Sequence, residues 1–197
     1  MATTATAELT PKTDTTPAVA KVSAKDKSGA QWVSRFPGSA SLEDLDPTFK
    51  AKVEKFIEAV KSAGGAVNIA ATHRPRERAY LMHYSSKISR GDIKADQVPP
   101  MDGVNIEWVH DSDEESKKAA SAMVKGYAIV YPPALISRHT ERAAVDMTIA
   151  GIVGKKIKNA SGEDVEIKKQ SDLNAVGATY GVHKLVSDPP HWSDDGH

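Results

Sequence analysis

The chain has 197 residues, 40% hydrophobic and 26% charged, with 26 basic against 26 acidic side chains and no cysteine. This composition suits one soluble globular domain with a substantial core, and the even charge balance removes any broad electrostatic case for nucleic-acid binding. Without cysteine there are no disulfides or thiolate ligands, so a bound metal would have to be held by His, Asp or Glu.

Residues 1–30 are dominated by Thr, Ala, Lys, Pro and Ser. They have too few large apolar side chains to offset the entropy of ordering, and read as a flexible leader ahead of a domain spanning 31–197. The first residues lack the charged and apolar regions of a secretory signal, so synthesis in the cytoplasm is expected. No apolar run is long enough to cross a bilayer, and stable membrane insertion is not expected. Folding is expected to begin around residues 32–36, where aromatic side chains first appear.

Asp46-Pro47 supplies an N-cap and a proline at the first helical position. Phe49, Val53, Ile57 and Val60 then recur on one face until Gly64-Gly65, which predicts an amphipathic core helix. Residues 66–71 read as a short buried strand, and Thr72-His73-Arg74-Pro75 as the turn leaving it for a helix over 76–88. Residues 91–108 are interrupted by Pro99-Pro100 and Gly103 and read as irregular. Ser112-Asp113-Glu114-Glu115 predicts a capping box for a helix running towards Lys125. His110, Asp111 and Asp113 carry metal-capable groups there, but capping and solvent exposure explain them better. A strand is predicted over 145–153, then a hairpin turning at Asn159-Ala160-Ser161-Gly162 with Val165 and Ile167 beyond it, and a helix over 172–180 stopped by Gly181. The mixture predicts an α+β fold, a small antiparallel sheet flanked by helices.

Two segments carry the chemistry. The first is Ser137-Arg138-His139-Thr140-Glu141-Arg142-Ala143-Ala144-Val145-Asp146, and the second is Asp188-Pro189-Pro190-His191-Trp192. Two histidines and a carboxylate can hold a metal and leave a fourth position for water, while a further carboxylate moves a proton. Seven positions separate His139 from Asp146, about 10 Å along a helix or about 23 Å along a strand, so the chain between them must bend back for both to reach one ion. His139 is therefore expected on a loop or strand end, and Asp146 at the start of the next strand. Pro189-Pro190 predicts a polyproline-like segment with Asp188 and His191 on one side. No H-E-x-x-H helix competes as a zinc motif.

At these residues the sequence resembles the zinc D-alanyl-D-alanine metallopeptidases, a family that includes vancomycin-resistance dipeptidases, carboxypeptidases and phage L-alanyl-D-glutamate endopeptidases. Ser137, His139, Ala144 and Asp146 match its S-x-H-x-x-G-x-A-x-D segment, and Asp188 and His191 match its acidic residue three positions before a histidine. Thr72-His73-Arg74-Pro75 looks like its strand-end segment with a substrate-facing arginine. The resemblance covers residues 45–192 and implies one zinc ion on His139, Asp146 and His191, with catalysis by Asp188 and Arg74. It also implies substrate contacts from Arg74 and Ser137, although Ser137 could equally be a serine that bonds the local backbone. His183, near the second segment, is a candidate substrate-side residue. Trp192 would border the cleft or serve as a core aromatic. The departure is Arg142, which stands where the pattern has glycine and puts the intervening bend in question.

The resulting expectation is a zinc peptidase of the peptidoglycan stem peptide, acting at the bacterial cell wall or periplasm after release or delivery. Asp188, in place of glutamate, favours an L-alanyl-D-glutamate endopeptidase over a D-alanyl-D-alanine carboxypeptidase. A phage lysin or a delivered antibacterial effector, the latter with a delivery or immunity partner, fits a chain without an export signal. The rival from another class is a non-catalytic zinc-binding interaction module.

Overall fold

The structure, a computed structural model, describes residues 24–197. The first 23 positions of the expected leader lie outside the described residues. The rest of it belongs to the fold: β1 (Asp26–Lys27) pairs in parallel with β3 (Ile106–Glu107), and Ser28 is buried, with its Oγ 3.0 Å from His110 Nε2. Ordered structure therefore precedes the expected start at residues 32–36. The reason is that backbone pairing, not apolar side chains, holds β1, and hydrophobic patterning cannot reveal that.

α1 (Pro47–Ser62) forms as its caps predict, with Asp46 Oδ1 accepting from the backbone N–H groups of Thr48 and Phe49 at 2.9 and 3.1 Å. Its buried face comprises Phe49, Val53, Phe56, Ile57 and Val60. At Gly65 an added Cβ would sit 2.8 Å from Val60 Cγ1, so only glycine lets the chain turn so tightly back along the helix. β2 (Ala66–Ala71) follows, then α2 (Arg76–Arg90) and α3 (Asp113–Gly126), the latter capped by Ser112 Oγ accepting from Glu115 N–H.

β4 (Ala144–Ala150) is one of the two inner strands of a four-stranded antiparallel sheet that also contains β7 (His183–Lys184) and β8 (His191–Ser193), in the order β2-β4-β8-β7. The fold is thus α+β with a small antiparallel sheet. The sequence expectation differs here as well, and β3 falls within residues 91–108, which read as irregular, because its pairing comes from the distant β1. β2 is an edge strand with alternating exposed and half-buried residues, not a buried one. β4 stops at Ala150 because Gly151, at φ 68°, turns the chain out of the sheet. Asp188-Pro189-Pro190-His191 is not polyproline-like; it is a turn closed by the His191 N–H donating to the Asp188 carbonyl at 3.1 Å.

The hairpin β5 (Lys156–Lys158) and β6 (Asp164–Glu166) and the helix α4 (Asp172–Thr179) complete the described chain. Two buried clusters result. One joins α1 and α4 to Val145, Met147 and Ile149 of β4 and to Trp192; the other joins α2 and α3 to Trp32, Ile106 and Trp108. Period-2 alternation decides what β4 and β8 present on each face: Val145 and Trp192 go into the first cluster, while their neighbours Asp146 and His191 project from the opposite face.

Candidate metal centre and its cleft

Asp146 and His191 are directly paired across β4 and β8, so the sheet register alone brings a carboxylate and an imidazole together. His139 arrives from the turn before β4. That turn is built by Thr140, whose Oγ1 donates to the Ser137 carbonyl at 2.7 Å and accepts from the Ser137 N–H at 3.0 Å, and by Ala143 N–H donating to the Arg138 carbonyl at 2.8 Å. Arg142 lies within it at φ 64°. It adopts the left-handed conformation a glycine would take without strain, so the bend forms despite the arginine, at a backbone cost of about 1–2 kcal/mol.

The result is a convergence of three donor atoms. His139 Nε2 and His191 Nδ1 each lie 3.1 Å from Asp146 Oδ1 and 3.2 Å from one another. Both rings are buried, 5% and 6% exposed, and the carboxylate is half-buried. The outer nitrogens settle the tautomers. His139 Nδ1 faces the Thr72 carbonyl at 2.7 Å and His191 Nε2 faces the His197 carbonyl at 3.1 Å. A carbonyl only accepts, so each outer nitrogen carries the proton and each neutral ring turns a lone pair inward. Two lone pairs and a carboxylate oxygen then point at one spot, an arrangement that repels itself unless a cation occupies it. Separations of 3.1 to 3.2 Å fit around one small ion with bonds of about 2 Å. His139, Asp146 and His191 could therefore hold a metal ion.

The electrostatics respond to the same crowding. Burial alone would raise the Asp146 carboxyl, but the His139 and His191 rings, which donate to it once they take up an inward proton, outweigh burial and hold the group well below the usual carboxylate range. Burial would lower His191, yet hydrogen bonds to Asp146 and the His197 carbonyl raise it above the ordinary imidazole value. In each case the inward side of the site favours added positive charge.

A cleft of about 650 Å³ opens over the three donors, lined also by Arg74, Ser137 and Asp188. Arg74 is half-buried, and its backbone N–H donates to the His139 carbonyl at 3.1 Å, which fixes it beside the ligand turn. Burial lowers its guanidinium below the ordinary value; Asp146 opposes that and Arg78 adds to it. Ser137 lines the cleft with a buried Oγ that has no hydrogen-bond partner among the described residues, so the turn contacts expected of its side chain are made by Thr140 instead. Asp188 is exposed at the rim.

Two expected cleft residues are elsewhere. Trp192 packs on Phe56, ring centroids 5.3 Å apart, on the core face of β8. Strand alternation sends it there because His191 takes the cleft side. His183 pairs with Ser193 on the edge strand β7 and does not line the cleft, since nearness in sequence to Asp188 is undone by the intervening turn.

Sequence reasoning missed two charged side chains that hold the site together. Lys184 Nζ donates to the carbonyls of Leu185, Asp188 and His191 at 2.5 to 2.9 Å, gathering the turn that carries Asp188 and His191. Arg138 pairs with Glu141 at 2.8 Å and with Asp194 at 3.4 Å, and also with Asp195, tying the ligand turn to the segment after β8. Arg138 sits inside the first motif, and its position beside a ligand was the available signal. Lys184 carries none, because its partners are main-chain carbonyls.

No protein-family model matches the chain, and a search of curated proteins gives no significant match.

Proposed function

We propose that the protein is a zinc-dependent peptidase acting on the stem peptide of bacterial peptidoglycan, with the L-alanyl-D-glutamate bond as its target. The observation that carries this reading is the convergence of two imidazoles, each with its outer nitrogen on a main-chain oxygen, and one carboxylate under a cleft that also contains Arg74, unpaired among the described residues, and a rim carboxylate. Zinc held by His139, Asp146 and His191 would supply Lewis acidity and lower the pKa of water. Asp188 takes a proton from the attacking water and passes one to the leaving amine. Arg74 donates to the developing oxyanion, and its half-buried position strengthens that interaction. Lys184 and Arg138 keep the two segments in register.

Two imidazoles and a carboxylate also suit ferrous iron. Asp188 and Arg74 favour hydrolysis, since they provide the proton transfer and charge stabilisation that peptide cleavage needs. Metal analysis of the purified protein, followed by digestion of peptidoglycan with mass spectrometry of the products, tests the reading. New L-alanine and D-glutamate ends are expected, with loss of activity on chelation and recovery with zinc. Released D-alanine would instead identify a carboxypeptidase, and zinc-loaded protein that leaves peptidoglycan intact would leave the binding-module alternative.

A further inference from the structure

The two imidazoles of the centre are held from behind in different ways. His139 Nδ1 donates to the carbonyl of Thr72, a buried residue directly after β2 whose own N–H donates to the Ser39 carbonyl at 2.7 Å. His191 Nε2 donates instead to the main-chain oxygen of His197, in a segment that has left the sheet and is exposed at Asp195 and His197.

That segment is built as a turn that aims the oxygen. Asp194 N–H still donates to the Ala143 carbonyl at 3.1 Å, alongside β4. Beyond it, Gly196 N–H donates to the buried Ser193 Oγ at 2.8 Å, and His197 N–H donates to Asp195 Oδ1 at 3.0 Å. Gly196 has φ 88°, a left-handed conformation that lets the chain double back towards β8. A Cβ there would meet nothing closer than His183 Cβ at 3.5 Å, so the position requires the backbone angle rather than the space. Arg138 pairs with Asp194 and Asp195 on this segment and with Glu141 on the ligand turn. All of these ion pairs are partly exposed and contribute little stability, so their role is to fix geometry.

Two acceptors face the His191 ring: the His197 oxygen at Nε2 and Asp146 Oδ1 at Nδ1, each 3.1 Å away. A ring proton on Nδ1 would satisfy Asp146 and close the site to a cation, whereas a proton on Nε2 leaves the Nδ1 lone pair free to bind one. We infer that residues 194–197 are a positioning clasp for the metal centre, and that the His197 main-chain oxygen fixes His191 in its ligating tautomer and so sets how tightly the ion is held. The inference rests on the zinc reading of the centre and is independent of which bond the centre cleaves. His139 needs no such clasp, because its acceptor is locked beside the sheet. Asp195 and His197 also line the cleft, so the element that holds His191 is part of the wall that a bound molecule touches.

The test separates main chain from side chain. Gly196→Val disfavours the left-handed turn and should move the His197 oxygen, while Gly196→Asn tolerates that conformation and should preserve it. Removing residues 195–197 takes the oxygen away altogether, and His197→Ala changes the side chain but keeps the oxygen. Zinc affinity, read by chelator competition, should fall about tenfold or more for Gly196→Val and for the shortened chain, as for other groups that orient a ligand. For Gly196→Asn and His197→Ala it should stay close to that of the unsubstituted protein. Proton–nitrogen NMR correlation spectra of His191, taken on the metal-free proteins at one pH, supply the second readout. They should place the ring proton on Nε2 in the unsubstituted protein and on Nδ1 in the two weakened variants. Unchanged affinity in the shortened chain would overturn the clasp and leave the zinc reading standing. An equal loss from His197→Ala would overturn it by assigning the effect to the His197 ring, and weaker binding with the proton still on Nε2 would overturn it by showing general loosening. If the unsubstituted protein takes up no zinc while the shortened chain moves the His191 proton to Nδ1, the zinc reading fails and the positioning of His191 stands.

Discussion

Two residues test the site most directly. Asp188 lines the cleft without being one of the three converging donors, so Asp188→Asn should leave one equivalent of metal bound while peptide hydrolysis falls by about 10²- to 10⁴-fold, the usual worth of a general acid–base group. Metal loss together with activity would place Asp188 among the ligands instead. Arg142 presents the opposite situation, a residue at φ 64° whose exposed side chain makes one long contact, Nη1 to the Asp44 carbonyl at 3.5 Å. Relief of left-handed strain, about 1–2 kcal/mol, less the greater unfolded-state freedom of glycine, about 0.5–1 kcal/mol, predicts that Arg142→Gly stabilises the protein by roughly 0.5–1 kcal/mol. Urea unfolding measures it, and a destabilised variant would mean that Arg142 makes a contribution its exposed side chain does not reveal. His139, Asp146 and His191 were legible as a group that could hold a metal because their types and spacing are chemically specific. Trp192 takes the core place that the sequence had left open beside the cleft, and His183 lies off the cleft, because sequence proximity to His191 does not tell which face of a strand a side chain leaves from.

Among the elements, the turn between β7 and β8 is the most exposed to perturbation. Lys184 collects three carbonyls there, so Lys184→Met, which keeps a long apolar side chain and removes the ammonium, should loosen Asp188 and His191 together. Metal affinity is expected to drop about 10- to 100-fold, as for other groups that orient a ligand from behind, and a chelator competition assay reads it. Unchanged affinity would mean that the turn holds its shape without the lysine. Helices were the readable elements: Asp46-Pro47 and Ser112 announce α1 and α3 through side-chain caps that act within a few residues. β1, β3, β7 and β8 are two or three residues long, too short to carry a periodic signal, and exist because a distant strand completes their hydrogen bonds.

At the scale of the whole molecule, metal and proton should each alter stability in a defined way. Donors from the turn before β4, from β4 itself and from the inner strand β8 meet only in the folded chain, so metal at about 100 times its Kd should add about 2.7 kcal/mol. For a chain of this size that raises the thermal midpoint by roughly 5 to 10 °C, and His139→Ala should abolish the shift in a calorimetric scan. Tyr127, far from the ligands in the second cluster, is buried, and its phenol is pushed up to about 12 by that burial, with Arg78 opposing. A phenol raised on folding stabilises the protein fully below pH about 10, and that contribution is lost as the pH climbs towards 12. The loss amounts to roughly 2–3 kcal/mol at most. Urea melts between pH 9 and pH 12 should show this decline in the unsubstituted protein and a shallower one in Tyr127→Phe.

By itself the sequence determined the donor types, the capped helices, the α+β class and the need for a bend between His139 and Asp146, since each depends on local chemistry or on the fixed rise of the backbone. Only the tertiary structure decided that Asp146 and His191 pair across β4 and β8 and that Thr72 and His197 carbonyls turn both imidazoles inward. Those outcomes depend on strand register and on main-chain oxygens brought in by folding, from 67 positions away for His139 and from six for His191. A backbone carbonyl is the same at every residue, so no side-chain pattern could have marked which ones would be used.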